Sequence, residues 1–374
     1  MKWILRSFKS EPVLWISGIL AVVSCVIAPP GASLLEMLDM NMIGILFCFM
    51  LIIAGFSENG LLMLLSEKLV SKVRSARTLS AALIVMTFFL SMFVTNDVSL
   101  ITMVPFTILT LSPMSHYIPF VLVLETAAAN IGSMAMPFGN PQNLYLFSNY
   151  DMTAGHFFSL VIPVSLLGLF LVMLPVFMLE NEDYEGRKSE SVKLKNKPYL
   201  VLYSVLFILC ILSVFDILDT FVTFMSVCLV IFITETKLFE KADYSLLLTF
   251  AFFFVFVGNV QRIDSISSFI TDFINGREFL SSLLLSQVIS NVPAAVMLSG
   301  FTDNGDALIL GTNIGGLGTI IASLASLISY KFYVRTENAK PLSYLLKFSA
   351  VNFALLIILG FFADAVLIKN ILSP

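Results

Sequence analysis

The chain has 374 residues, of which 58% are apolar and only 12% charged, with a formal net charge of −4. An ordinary soluble domain is roughly 45–50% apolar and about 25% charged, so a water-soluble globular protein is excluded, and about nine crossings of about 20 residues would use nearly the whole chain. The negative net charge leaves phosphate repulsion unbalanced, which excludes nucleic acid as a partner.

Lys2, Arg6 and Lys9 precede an apolar run from Val13 to Ile27. Val22-Val23-Ser24-Cys25 has the form of a lipoprotein cleavage box. The run is read instead as a retained first span, 13–29, as polytopic chains commonly begin. Continuous spans follow at 41–57, 156–179, 198–215, 219–236, 244–260 and 341–368. Two further regions, 117–149 and 304–333, are long enough to cross but are interrupted by Gly, Asn and Pro. Two more, 80–112 and 277–302, break at Thr95-Asn96-Asp97 and at Ser290-Asn291-Val292-Pro293. Their arms, about 15 residues or fewer, are too short to span, so each region is predicted to be a re-entrant hairpin. Cys25, Cys48, Cys210 and Cys228 all lie in apolar runs without C-x-x-C spacing, which predicts neither disulfides nor a metal site.

Charge fixes an orientation. With the N-terminus cytoplasmic, the inner pieces 1–12, 58–79, 180–197, 237–243 and 331–340 hold 17 of the 21 Lys and Arg residues, the bias that cytoplasmic loops carry. Nine crossings then place the C-terminus outside. The one long polar run, Glu180 to Lys197, reads as a cytoplasmic linker.

The two halves repeat each other. Laying 90–106 over 285–301 matches Leu90 with Leu285, Ser91 with Ser286, Asn96 with Asn291 and Phe106 with Phe301. Downstream, Asn130-Ile131-Gly132-Ser133 lies over Asn313-Ile314-Gly315-Gly316; upstream, Gly55 and Gly258 close similar Phe-rich spans. The charge-derived topology runs 41–57 and 244–260 in opposite directions, so the repeats are inverted. The expected layout is a first span and connector (1–40), a first repeat (41–179), the linker (180–197), two connecting spans (198–243), a second repeat (244–368) and a tail (369–374). The predicted fold class is an all-α polytopic membrane protein, an inverted-repeat secondary transporter with two re-entrant hairpins and two interrupted transmembrane helices.

Breaking a helix inside hydrocarbon exposes backbone groups, tolerated only where protein, water or a solute satisfies them. Four breaks in corresponding places point to one site near the bilayer midplane. Half-helix N-termini suit an anion, while unwound carbonyls and Thr, Ser and Asn side chains suit a small cation. The predicted solute-binding residues are Thr95, Asn96, Asn130, Gly132, Asn140, Asn143, Ser290, Asn291, Thr312, Asn313 and Gly315. Thr95, Asn96, Asn130, Ser290, Asn291 and Asn313 could also hold sodium. Asp97 and Glu125 are acids at membrane depth and are predicted to handle a coupling ion, proton or sodium. Their repeat counterparts are Val292 and Leu308, so coupling is assigned to the first half. Alternatively, Asp97 caps the helix that follows it, and Glu125 faces a polar cavity near the membrane edge. No phosphate loop, nucleophile elbow or His/Glu metal motif is present, so neither ATP drive nor an enzyme is expected. The expected partners are a small ion, the bilayer and, left open, a second copy of the chain.

In these residues the sequence resembles the ion transporter superfamily, which includes arsenite efflux permeases, related sodium/proton antiporters, citrate-metal carriers and divalent anion:sodium symporters. The resemblance covers about 41–368 and is strongest in TNDVSLITMVPF, NIGSMAMPFGNPQN, SNVPAAVML and NIGGLGTIIASLASL. Chain length and Gly139-Asn140-Pro141-Gln142-Asn143 are similar to a small bacterial branch of anion permeases. The resemblance implies an elevator-type or similar alternating-access carrier, with hairpin tips and unwound spans forming substrate and sodium sites. In the symporters both tips read Ser-Asn-Thr and contact carboxylate and sodium, which maps onto Thr95, Asn96 and Asp97 and onto Ser290, Asn291 and Val292. Asp97 repels a carboxylate and Val292 donates no hydrogen bond, which moves the expectation toward the arsenite-permease and antiporter side.

Overall fold

The computed structural model describes residues 11–29, 34, 36–70, 73–184, 194–337 and 339–372. The N-terminal cations Lys2, Arg6 and Lys9 and the middle of the linker lie outside the described residues. Within them the chain is helical, and its one β-bridge joins Ser75 to Asp183.

Helix α1 (Pro12–Ile27) is followed by α2 (Met40–Glu58), whose N-cap Asp39 accepts the Met42 N–H at 2.9 Å. A cap of this type is worth ~1 kcal/mol. Next come α3 (Leu61–Val70), the hairpin arms α4 (Ala76–Val94) and α5 (Asn96–Thr110), the broken pair α6 (Ile118–Ser133) and α7 (Pro141–Asn149), and α8 (Ala154–Met173). Two connecting helices, α9 (Lys197–Val214) and α10 (Thr220–Thr234), lead to the same series again. That second series is α11 (Tyr244–Gln261), α12 (Asp264–Ile274), the arms α13 (Glu278–Ile289) and α14 (Asn291–Ser299), the broken pair α15 (Gly305–Gly315) and α16 (Leu324–Tyr333), and α17 (Pro341–Leu372).

Six of the helices are long and apolar enough to cross a membrane by themselves. Two predicted spans are shorter than a full crossing: α1 has 16 residues and α10 has 15. The first hairpin departs further from expectation. Its first arm starts at Ala76 rather than 80, capped by Ser75, and its 19 residues are enough to cross. Arg77, which sets the outer limit of the arm in a hydropathy reading, reaches back to donate to the Leu179 carbonyl at 2.7 Å and so stays inside the helix. The chain nevertheless turns back at Thr95, where φ is 69°, and the Ser99 hydroxyl on the second arm donates to the Thr87 carbonyl on the first at 3.2 Å.

The second arm of that hairpin meets a 3-10 turn (Ser112–Tyr117) and the α6 that follows it at 117°. In the second hairpin the two helices part at Ser290 and the second arm ends at Ser299, short of 302; the broken pairs are unwound over 134–140 and 316–323.

Helices α2 and α11 lie against each other in opposite directions. The end of α2 (Ser57, Glu58) and the start of α11 (Asp243, Leu246) line one cavity, while Asp39 and Gly258 line another at the far end. Charged segments gather on the first of these faces. Lys241 and Lys195 both pair with Glu58 (3.0 and 3.6 Å), and the Ala76 N–H donates to the Glu182 carbonyl. Glu11 joins them: burial and the nearby Asp243 push its carboxyl above the usual range, and Lys331 opposes this.

Packing crosses between the halves. Arm α5 lies on α16, and arm α14 lies on α7, so each hairpin touches the broken pair of the other half. Each first arm also packs on its own broken pair, α4 on α6 and α13 on α15, through a matched small-residue contact. A Cβ on Gly132 would fall 2.4 Å from Ser91 Oγ, and one on Gly315 2.7 Å from Ser286 Cβ. In lipid, where burying apolar surface between helices gains little, close backbone approach of this kind holds helices together.

Candidate functional site

Both hairpin tips carry the same backbone distortion. Thr95 has φ 69° and ψ 155°, and Ser290 has φ 79° and ψ 153°. Side-chain-bearing residues avoid this region at a cost of ~1–3 kcal/mol each, and it persists only where the surroundings impose it. The next residue then starts a helix, and the Asn96 and Asn291 side-chain oxygens accept the N–H of Asp97 (3.1 Å) and Val292 (3.0 Å).

Around the first tip, Asn96 Nδ2 donates to Asn130 Oδ1 at 3.0 Å and lies 3.5 Å from Ser323 Oγ. The Ser323 hydroxyl donates to the same Asn130 oxygen at 3.0 Å, and Asn130 Nδ2 reaches Ser326 Oγ (3.4 Å) and the Gly316 carbonyl (3.5 Å). Around the second broken pair, Asn140 Nδ2 donates to Asn313 Oδ1 at 3.0 Å, and Asn313 Nδ2 donates to Asn143 Oδ1. The register that pairs Asn130 with Asn313 also pairs Asn140 with Ser323 and Asn143 with Ser326. Each unwound segment therefore presents an N-cap residue to the asparagine of the other half.

The two tips meet on adjacent residues. Asn96 approaches Ser323, while the Asn291 N–H donates to the Ala322 carbonyl at 2.9 Å and the Ser290 hydroxyl to the same carbonyl at 3.2 Å. This brings the starts of α5, α14 and α16 around one short strap.

Thr95, Asp97 and Asn140 line a cavity of about 620 Å³ between α2, α11 and the first tip. Its walls include Phe49, Ile53 and Phe138, and its mouth lies at Glu58, Lys241 and Asp243. Asp97 does not serve as an N-cap: Thr95 is the cap residue, Asp97 stands in the first turn, and its Oδ1 is buried without a hydrogen-bond partner among the described residues. Glu125 is fully buried, its Oε1 accepting the hydroxyls of Thr87 (2.9 Å) and Thr107 (2.8 Å), so the alternative of a polar cavity near the membrane edge does not hold.

Of the predicted solute-binding residues, Thr95, Asn96, Asn130, Asn140, Asn143, Ser290, Asn291 and Asn313 are brought together through these contacts. Gly132 and Gly315 are not part of the polar cluster; they press on Ser91 and Ser286 of the hairpin arms, where no larger residue fits. Thr312 turns its hydroxyl back to the Leu308 carbonyl (2.7 Å) of its own helix. Ser323 and Ser326 were missed. Carrying the Asn130/Asn313 register past Gly316 finds both, as the partners of Asn140 and Asn143. Gln287 was missed as well: its Nε2 donates to the Gly315 carbonyl (2.7 Å) and its Oε1 accepts the Thr319 N–H (2.9 Å), tying the second strap to its hairpin. No metal cluster of His, Cys, Asp and Glu occurs among the described residues, so a cation held here would sit among Asn, Ser and Thr oxygens and carbonyls.

A family model described as citrate transporter matches residues 2–303. The chain belongs to this citrate transporter family. An uncharacterized transporter of Methanocaldococcus jannaschii is 34% identical over 322 residues, 84% of this chain and 86% of its own length. An inner membrane protein of Escherichia coli is 26% identical over 305 residues, covering 79% and 80% of the two chains. A silicon efflux transporter of Oryza sativa is 30% identical over 195 residues, 49% of this chain and 39% of that one. Family membership and the apolar helices make this citrate transporter family member a multi-pass membrane transporter.

Proposed function

We propose that the chain is a secondary active transporter that moves a small anion across the cytoplasmic membrane, coupled to protons or sodium, by alternating access. The observation that carries this reading is the docking of both hairpin tips on Ala322 and Ser323, which gives a solute one place to touch both halves. In this reading 41–179 and 244–368 are inverted repeats, the N-terminus is cytoplasmic and the C-terminus is outside. The 620 Å³ cavity is the inward path. The anion binds through helix starts and the amides of Asn96, Asn130, Asn140, Asn291 and Asn313, with Thr95, Asn143 and Ser290 completing the shell. Asp97 handles the coupling ion, and no bond is made or broken in the solute. The names of the family and of the rice relative, citrate and silicon, each denote a small solute.

A second reading, a sodium/proton antiporter, is favoured by one observation: the acid in the cavity next to the tip, Asp97, has no basic partner among the described residues, and Lys241 at the mouth is already paired with Glu58. A non-transporting assembly subunit is the third. Proteoliposomes under imposed gradients separate the three. The anion reading predicts flux of a labelled anion, silenced by Asn96→Ala or Asn291→Ala, with Asp97→Asn uncoupling it from the ion gradient. The antiporter reading predicts proton movement driven by sodium alone. Neither flux, in well-folded protein, leaves the assembly reading.

A further inference from the structure

The first hairpin holds a second polar centre, well below its tip. Glu125 joins three elements there: Thr87 on the first arm and Thr107 on the second both donate to its Oε1, while Glu125 itself belongs to α6, five residues before Asn130. Its other oxygen, Oε2, is buried with no hydrogen-bond partner among the described residues.

The groups around it do not supply a counter-charge. Arg77 on the first arm is engaged by the Leu179 carbonyl, His116 by Glu182 and His156 by Asp306. Lys331 on α16 and Lys347 on α17 are exposed. The titratable group facing it from α17 is Tyr344, whose hydroxyl is shared with Ser329 at 3.1 Å. Asp97, the acid of the hairpin itself, sits at the tip. A carboxylate anion needs donors on both oxygens and a nearby cation to be tolerated at such depth. A neutral carboxyl needs no cation: its carbonyl oxygen has two lone pairs for the two threonines, and the Oε2 hydroxyl leaves one unpaired donor in place of a full buried charge.

We propose that Glu125 is a proton-binding site separate from the solute centre, and that its proton keeps the carboxyl neutral where it joins both hairpin arms to the helix that carries Asn130. Losing the proton to water leaves an unpaired charge between the arms, which is relieved when water enters and the arms loosen from α6. Leu308 stands at this position in the second half, so only the first hairpin carries the device. For its effect on flux the inference rests on the carrier reading; the proton itself does not depend on it.

The test uses the full chain in lipid. Infrared difference spectra across a pH titration are expected to show the carbonyl band of a neutral carboxyl in the wild type and in Asp97→Asn, and to lose it when Glu125→Gln is added to Asp97→Asn. The thermal midpoint of Asp97→Asn is expected to fall as pH rises, because the folded state holds a proton that the unfolded chain gives up; with Glu125→Gln added that shift is lost. A band that survives in the double variant, or an unchanged pH shift, overturns the proposal. If Glu125→Gln does not fold, Asp97→Asn decides, since absence of the band there overturns it equally. A chain that moves no solute yet shows band and shift supports this site while sinking the transport reading.

Discussion

The two hairpin tips share a backbone conformation and differ in what holds them. The first is held by side chains: Asn96 reaches Asn130 and Ser323, and Thr95 and Asp97 face the cavity. The second is anchored on a backbone carbonyl: the Asn291 N–H and the Ser290 hydroxyl both donate to Ala322, and the Gln287 side chain ties the strap to the arm. Side-chain contacts yield to water and solute more readily than a backbone bond backed by a tied strap, so the first tip is the one placed to respond to what enters the cavity. The apolar Val292 stands in the place of Asp97, so the second tip carries no acid.

The sharpest test of that comparison removes the asparagines that receive the straps. Asn130→Ala removes the acceptor shared by Asn96 and Ser323 and the donor to Ser326, and Asn313→Ala removes the acceptor of Asn140 and the donor to Asn143, which Ser133, Met134 and Met136 still hold. Each stranded buried group costs about 1–3 kcal/mol, so both variants are expected to lose flux entirely; a variant of either that still transports breaks the equivalence of the clusters.

Glycine substitutions come next. Gly132→Ala drives a methyl group to 2.2 Å from the Phe88 carbonyl, a backbone atom, whereas Gly315→Ala meets the Ser286 side chain first. Unfolding in detergent is expected to show a loss of about 1–3 kcal/mol for Gly132→Ala and a smaller loss for Gly315→Ala. Equal losses would mean that the arms pack alike. Gln287→Ala, which frees the second strap, is expected to cost about 1–2 kcal/mol and to weaken solute binding; wild-type binding would show that the strap needs no tie. The smallest effect is at the mouth. Lys241→Met removes an exposed ion pair worth about 0–1 kcal/mol, so KM for the anion should change by less than about fivefold, and the change should vanish at high salt.

Much of the helix layout is legible in the sequence because its ends are written in single residues: Asp39, Thr153, Asn196, Asp219 and Asp243 each cap a helix where the apolar run begins. The tips are legible because Asn beside a helix break in hydrocarbon needs a partner. What escaped was of two kinds. Arg77 reads as a charge outside the membrane, although its long side chain reaches a carbonyl at the edge and lets the arm start earlier. Gly132 and Gly315 read as room for a ligand, whereas the close neighbour is another helix; a glycine records proximity without naming what is near. The cavity could not be read at all, since it is formed by walls from α2, α11 and the first tip that only the folded chain brings together.

The most direct test is sided labelling of the tips. In a chain whose four cysteines are replaced, Val98→Cys beside the cavity and Val292→Cys at the second tip are each exposed to a membrane-impermeant thiol reagent from either side. The account predicts that Val98→Cys reacts from the cytoplasmic side and Val292→Cys only from the outside, and that bound solute protects both. Reaction of both from one side, or labelling that solute leaves unchanged, would contradict it.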